Sequence, residues 1–408
     1  MTHTIDRRTV LRSIGAAGAA SLAGCGGGGG GREIMLGMVM GVTGGLEELG
    51  PPIRDAAQLV PDQINDADTG FSVDVQFEDS ATDPTQGVSG AEALVNGGYP
   101  MICGALSSEV TIQVATNVAI PNEVVMCSPA STSPDITDLD DNDFIFRTAA
   151  TDALQGRVLA GIAANQIGAS SASTFYLNNA YGSGLSQGFA NAFENEYDGT
   201  ITAQVSYSPG ESSYVSRLEE ALADDPDTML IVGYPDSGVR ILRDFYNNFD
   251  ADMPLLVPDG LQSADLPGNV GRSLSNVQGT APTGEGPGLE FFNTQYQEAY
   301  DADPSGQPFI RQAYDAAAAL VLANAAAGEN DGPSVRDQMR SVTGGDGEEI
   351  TPESLVDGLE MAANGDAINY QGVAGPVGFD DNGDLGAAEY EHFRFTEDGI
   401  EVIDTIQP

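Results

Sequence analysis

Two short stretches, "MICGALSSEVT" and "CSPAST", set small hydroxyl side chains just past apolar runs that read as buried strands. In the first, Ser107 and Ser108 fall where a strand gives way to a helix. Free backbone N–H groups of a first helical turn and a serine hydroxyl there converge on one point, which is chemistry for holding a carboxylate. The same serines can cap the helix, and the two roles are compatible. Ala130 and Thr132, in "CSPAST", follow the next apolar run in the same way, and Tyr181, in "NNAYGSG", precedes a glycine turn at a third strand end. Ligands of open α/β sheets sit beyond the carboxyl ends of strands, so these positions are candidates for one site.

Other motifs point to chemistry less well. "GLSQG", Gly184–Gly188, has the G-x-S-x-G spacing of serine hydrolases. Such a serine needs a strand-to-helix turn and a histidine. Ser186 instead falls inside an expected helix, whose apolar face is Leu185, Phe189 and Phe193, and the chain's two histidines are His3 and His392. An enzyme is therefore not expected. "GFDDNGDLGAAE" spaces Gly383 and Glu389 as in a calcium loop, but its first ligand position is Gly378, so a turn is expected. Cys103 and Cys127 end apolar runs and are expected as buried thiols, with a disulfide as the alternative. With one histidine in the body of the chain they form no recognisable zinc site, and no cofactor is expected.

The third cysteine, Cys25, precedes six glycines, Gly26–Gly31. No strand precedes this run and no helix follows it, so it is not a nucleotide loop. Upstream, Arg7, Arg8 and Arg12 lead into a small apolar run, Ile14–Gly24, about half the length that spans a bilayer. A charged start, an apolar middle and small residues before a cut describe an export signal over 1–24. "DRRTVL" resembles the twin-arginine motif and "LAGC" a lipobox, which would make Cys25 a lipid anchor on the outer face of the membrane. Residues 25–32 would then be a flexible tether.

All fifteen basic residues are arginine, against 61 acidic ones, for a formal charge of −46. The acids are spread along the chain, so they are not an acidic tail. Such a surface repels itself in dilute buffer, and molar salt, with a screening length of roughly 3 Å, removes most of that penalty. Nucleic acid and anionic membrane surfaces are not expected partners. The 41% of hydrophobic residues and about 380 residues after the signal suffice for two domains with cores.

From Glu33 onward, apolar runs alternate with amphipathic stretches. "IMLGMVM", "FSVDVQFED", "PMICGA" and "EVVMCSPA" read as strands, with helices over Pro51–Asn65, "PTQGVSGAEALVNG" and "SSEVTIQVATNVAI" between them. The pattern restarts after Arg147–Thr151 with "STFYLNN", "TITAQVSYS", "TMLIVGY" and "PLLVPDG". An alanine-rich helix stopped by Gly328 and a hairpin-like finish at "YEHFRFTEDGIEVI" complete the chain. Strand–helix alternation at this spacing predicts an α/β fold with parallel sheets.

In order, "GVTGGLEELG", "EDSATDP", "CGALSSEVT", "CSPAST", "FRTAATDALQG", "NNAYGSG", "YSPGESSYVSRL" and "GPVGFDDNGD" resemble the leucine/isoleucine/valine-binding protein family of ABC importers, from about Ile34 to the end. The composition resembles that of haloarchaeal members. The resemblance implies two doubly wound parallel-sheet domains joined by three crossings and closing like a clam shell, one over 33–149 plus 280–371, the other over 150–279 plus 372–408. It also implies capture of a small ligand, first a branched-chain or other small amino acid, for an ABC permease, by a monomer. Amide or urea binding, or a sensory role on the same fold, are its alternatives. Ser107, Ser108, Ala130 and Thr132 would hold the ligand carboxylate, Tyr181 would cover the ligand, and Asp259 would meet its ammonium. Tyr234 would stand beside the cleft and Leu49 would line it. The chain departs from the family in lacking tryptophan and lysine and around "VTGGDGEEITPES".

Overall fold

The computed structural model describes residues 31–386, 388–396 and 399–408. The export signal, Cys25 and all but the last glycine of the tether lie outside the described residues. The chain opens with β1 (Arg32–Met40), α1 (Gly50–Asp66), β2 (Phe71–Asp79), α2 (Pro84–Gly97), β3 (Met101–Gly104), α3 (Ser108–Val114), β4 (Val125–Ser128) and β5 (Ile145–Arg147). A second run follows: α4 (Asp152–Ile162), β6 (Ser171–Leu177), α5 (Ala180–Glu196), β7 (Thr200–Tyr207), α6 (Val215–Ala221), β8 (Thr228–Val232), α7 (Pro235–Asn248), β9 (Leu255–Val257), α8 (Leu266–Val270) and β10 (Val277–Thr283). Then come α9 (Leu289–Tyr300), α10 (Ile310–Ala327), α11 (Gly332–Thr343), β11 (Glu348–Ile350), α12 (Leu355–Ala363), β12 (Ile368–Tyr370), β13 (Glu389–Thr396) and β14 (Gly399–Ile406).

Local chemistry sets these boundaries. α2 starts on Asp83, whose carboxylate accepts from Gln86 N at 2.9 Å, with Pro84 in the first turn where no N–H is needed. α10 is buried almost all round and ends at Gly328, whose φ of +80° suits a left-handed cap. The helix over "SSEVTIQVATNVAI" is α-helical only to Val114 and continues as a wider π turn over Ala115–Ala119.

The first sheet has the order β2-β1-β3-β4-β5, all parallel. The second has the order β14-β13-β10-β9-β8-β6-β7. Its β7-β6-β8-β9-β10 part is parallel, while β13 and β14 run antiparallel at one edge, so this sheet is mixed. α10 packs on α1, β1, β3 and β4, which assigns it to the first lobe. The chain passes between lobes after β5, after β10 and between β12 and β13. The boundary expected at residue 280 falls inside β10, which belongs wholly to the second sheet. The irregular stretch around "GGDGEE" forms a two-stranded parallel pair, β11 with β12.

Strand order reverses between β1 and β3 in the first sheet and between β6 and β8 in the second. Right-handed crossovers then send successive helices to opposite faces and leave a crevice at each reversal. The loops after β1 and β3 carry Leu49 and Ser107, and those after β6 and β8 lead to Tyr181 and Tyr234. The topology alone therefore brings four sequence candidates to the two switch points.

Arg147, at the end of β5, is fully buried. Its guanidinium grips Asp384 through Nε to Oδ1 at 2.5 Å and Nη2 to Oδ2 at 2.9 Å. It also donates to Ser133 O at 2.7 Å, Ser131 O at 3.3 Å and Thr137 Oγ1 at 2.6 Å. The "GFDDNGD" stretch is the turn that delivers Asp384: Asp380 Oδ1 accepts from Asn382 N at 2.8 Å and Asp384 N at 3.0 Å. Removing one partner of a buried pair leaves an uncompensated charge, at a cost of about 3–5 kcal/mol. Arg147→Met should therefore lower the melting temperature by roughly four to six degrees in a thermal melt. The double variant Arg147→Met, Asp384→Leu should recover part of that loss.

Candidate functional site

The "CSPAST" loop is knitted to the end of β3 by its serines. Ser128 Oγ donates to Ala105 O at 2.6 Å and accepts from Ser131 N at 3.0 Å, while Ser131 Oγ lies 3.1 Å from Leu106 O and 2.6 Å from Thr111 Oγ1. Ser108 Oγ accepts from the backbone N–H groups of both Thr132 and Ser133, each at 3.2 Å. With two donors already received, its own O–H hydrogen is left to give to an anion. Ser107 stands at the start of α3, and its side chain makes no capping bond.

The second lobe answers with aromatic rings and a carboxylate. Tyr181, in the first turn of α5, and Tyr234, just before α7, stack with ring centroids 5.6 Å apart and planes 2° from parallel. Tyr181 Oη donates to Asp259 Oδ2 at 3.4 Å and accepts from Gly260 N at 3.2 Å. A Cβ on Gly260 would stand 2.8 Å from that hydroxyl and 2.5 Å from Gly233 O, so the close approach requires glycine. Asp259 is 3% exposed and its Oδ1 has no hydrogen-bond partner. Burial pushes its carboxyl up to about 6, against hydrogen bonding from Gln155 and Tyr181 that favours the ionised form. Burial likewise raises the Tyr234 hydroxyl to about 12 and holds Tyr181 well above the usual tyrosine range.

These groups meet around one interlobe cavity lined by Leu46, Leu49, Ile53, Leu106, Ser108, Ala130, Tyr181, Tyr234, Asp259, Gly260 and Phe309. Six of the eight sequence candidates line it. Ser107 and Thr132 stand behind the lining: Ser107 Oγ accepts from Tyr234 Oη at 3.3 Å, and Thr132 is buried with its hydroxyl directed to the Asp152 carboxylate. The first lobe supplies the apolar wall of leucines, Ile53 and Phe309, and the second supplies the charge. Sequence reading missed Leu46, Ile53, Leu106 and Phe309, which look like any core residue. Phe309 alone carries a backbone signature, a φ of +64° that is rare for a bulky side chain.

The lobes are drawn together. Besides the Tyr234–Ser107 bond, Glu109 of the first lobe accepts from Ala180 N at 3.2 Å at the start of α5, where a helix favours negative charge. Ser263 also donates to Glu48 across the cleft. The space in which a water centre can sit between them is about 20 Å³. A larger hollow, about 580 Å³ by the same measure, lies among the three crossings, lined by Thr148, Pro282, Glu285, Gln312, Asp315 and Ala374 among others. Its Asp315 carboxylate is already bonded to Tyr370 Oη and to Val373 N and Ala374 N. The smaller cavity is therefore the better candidate, because hydroxyls and a carboxylate with one unpaired oxygen converge there on an apolar wall.

The other motifs have structural employment. Ser186 lies within α5, 2.6 Å from Thr174 Oγ1 and 2.9 Å from Gln204 Nε2, and His392 Nε2 pairs with Gln278 Oε1 at 2.8 Å. Cys103 and Cys127 are free, buried thiols on paired strands. Burial pushes the Cys103 thiol up to about 12.

Two α/β lobes tied by three crossings and closed on a small polar-and-apolar cavity define a cleft-type binding protein. The chain belongs to the periplasmic binding protein family, whose model matches residues 33–383. It is 27% identical over 358 residues to the chemotactic signal transduction system substrate-binding protein BasB of Halobacterium salinarum, covering 85% of this chain and 83% of that one. It is 24% identical to the leucine-, isoleucine-, valine-, threonine- and alanine-binding protein of Pseudomonas aeruginosa, over 88% of each chain. The fold matches the crystal structure of the leucine binding protein LivK of Thermotoga maritima with a TM-score of 0.78 and 22% identity, over 92% of this chain and 99% of that one.

The raised carboxyl of Asp259 has a stability consequence. Its folded state holds a proton more tightly than the unfolded chain, so its contribution is favourable below about pH 4 and is lost as pH rises towards 6. At pH 7 ionisation costs on the order of 3 kcal/mol. Asp259→Asn should raise the ligand-free melting temperature at pH 7 by several degrees and leave it nearly unchanged at pH 4.

Proposed function

We propose that the protein captures a small amino acid with an apolar side chain outside the cell and delivers it to an ABC permease. The observation that carries this reading is the polarity of the cavity. A buried carboxylate with one unpaired oxygen, Asp259 Oδ1, stands on one lobe, and an apolar wall with a serine hydroxyl able to donate stands on the other. A zwitterion fits that arrangement: its ammonium meets Asp259, its carboxylate takes the Ser108 hydroxyl beside Ala130 and Thr132, and its side chain packs on Leu46, Leu49 and Phe309. The tyrosine pair covers it from the second lobe. No catalytic step and no cofactor enter this reading.

A lipid on Cys25 would hold the protein at the outer membrane face after twin-arginine export, with Gly26–Gly31 as the tether and a monomer as the working unit. The Halobacterium relative, described as a component of chemotactic signal transduction, supports a second reading. The same closed lobes would then report the ligand to a transducer.

Titration of the purified protein in multimolar potassium chloride with amino acids, amides and urea tests the reading through heat release and melting temperature. Leucine, isoleucine or valine at a hundred times its dissociation constant should stabilise the protein by about 2.7 kcal/mol. Ser108→Ala should weaken that binding by roughly tenfold or more, since it removes an oriented donor. Tight binding of urea or amides, indifferent to Asp259→Asn, would move the substrate class. A folded protein that binds no amino acid would sink the proposal.

A further inference from the structure

The hollow among the three crossings holds about 580 Å³, a volume that accommodates a small organic molecule. Thr148 and Ala150 of the first crossing line it, with residues 282–285 of the second and residues 374–377 of the third. It shares no lining residue with the cleft cavity. α10 contributes Gln312 and Asp315, one turn apart on the same side of the helix. Gln312 is 4% exposed, and its side-chain amide makes no hydrogen bond among the described residues. Its backbone carbonyl accepts from Thr148 Oγ1 at 2.7 Å, which ties α10 to the first crossing.

Asp315 Oδ1 accepts from Tyr370 Oη at 2.8 Å and Val373 N at 2.7 Å, whereas Oδ2 accepts only from Ala374 N, at 2.9 Å. Oδ2 therefore keeps room for a further donor. Burial pushes the carboxyl up to about 6, so it is an anion at neutral pH. The charge of Arg311 favours that anion, but no ion pair joins the two among the described residues. Arg311 Nη1 goes instead to Gly284 O at 2.6 Å and Thr283 Oγ1 at 3.4 Å, on the second crossing. Glu285 and Glu389 add carboxylates to the lining, and Leu154, Pro282, Val377 and Ala388 add apolar surface. An unpartnered amide, an anion with a vacant acceptor position and apolar walls suit a ligand with a cationic donor group and a small hydrocarbon body. A bare inorganic cation would gain nothing from the walls.

We propose that this hollow is a second binding site, for a small organic monocation of the primary alkylammonium class. The ammonium gives its N–H donors to Gln312 Oε1 and Asp315 Oδ2, and the hydrocarbon body packs on Leu154, Pro282 and Val377. Such a ligand touches all three crossings, the segments whose backbone angles change when the lobes move. This hollow is that of the closed lobes, so a molecule fitted to it favours closure and tightens whatever the cleft holds. The cleft ligand must tighten it in return by the same factor.

The probe is cyclohexylammonium, titrated into the full protein and followed by ligand-observed NMR in wild type, Gln312→Leu and Ala388→Phe. We expect saturable millimolar binding to wild type, weakened about tenfold or more by Gln312→Leu, which removes the amide. Ala388→Phe, which fills the hollow, should abolish it. No saturable binding to wild type overturns the proposal, as does binding that survives both variants. Saturating leucine, which occupies the cleft, should tighten the probe by about fivefold or more. Leucine that leaves the probe's affinity unchanged overturns the coupling, and leucine that expels the probe places it in the cleft and overturns the site. Should either variant fail to fold, a wild-type crystal soaked in the probe decides: a nitrogen within hydrogen-bond reach of Gln312 or Asp315 supports the proposal, and an empty hollow overturns it. A wild type that holds the probe but binds no amino acid upholds the site and sinks only the functional reading above.

Discussion

The Arg147 guanidinium is the interaction on which the cleft depends. From the end of β5 it reaches the carbonyls of Ser131 and Ser133, and so fixes the loop whose N–H groups hold the Ser108 hydroxyl. Through Asp384 it also binds the last crossing to the first. A planar fork of five donors suits this work, since it can meet a carboxylate bidentately and still serve three other acceptors. Lysine could not replace it. A buried ion pair contributes little net stability compared with an apolar substitute, so its value here is positional. Without it, the ligand-side loop of the first lobe and the hinge would be set independently.

That bracing explains why the site can bury carboxylates. Burial of Asp259 and Asp152 works against their ionised forms, and the side chains of Gln155, Tyr181 and Thr132 offset it only in part. The surrounding backbone must over-determine their positions, and it does so through serines bonded to carbonyls, the Asp380 turn and the Tyr181–Gly260 contact. The Glu109 carboxylate at the start of α5 and the Tyr234–Ser107 bond then hold the lobes close.

Much of the fold was legible because parallel strands and their helices alternate with sharp punctuation. β2 and α2 occupy the stretches read from "FSVDVQFED" and "PTQGVSGAEALVNG" without adjustment. The antiparallel edge of the second sheet was visible only as a terminal hairpin, since apolar periodicity does not say which sheet a strand joins. The boundary near 280 missed β10 for the same reason. Site residues that follow strand ends, such as Ser108 and Tyr181, were readable from position. Arg147 and Asp384 were not, because they are 237 residues apart and no local pattern links an arginine to a distant turn. Asp152 and Gln155 lay within a quoted motif, "FRTAATDALQG", yet one buried aspartate among 61 acids carries no mark in sequence.

The division of the cavity between lobes has a kinetic meaning. Leu46, Leu49, Ile53, Leu106, Ser108 and Ala130 belong to the first lobe, whereas Tyr181, Tyr234 and Asp259 belong to the second. The first lobe contributes shape and a hydroxyl to the cavity, whose charge, Asp259, stands on the second lobe. Under the proposed reading, amine recognition would therefore follow a first encounter with the apolar wall. Arrival rates should therefore be similar for a leucine and its deaminated analogue, and the lifetime of the closed complex should separate them.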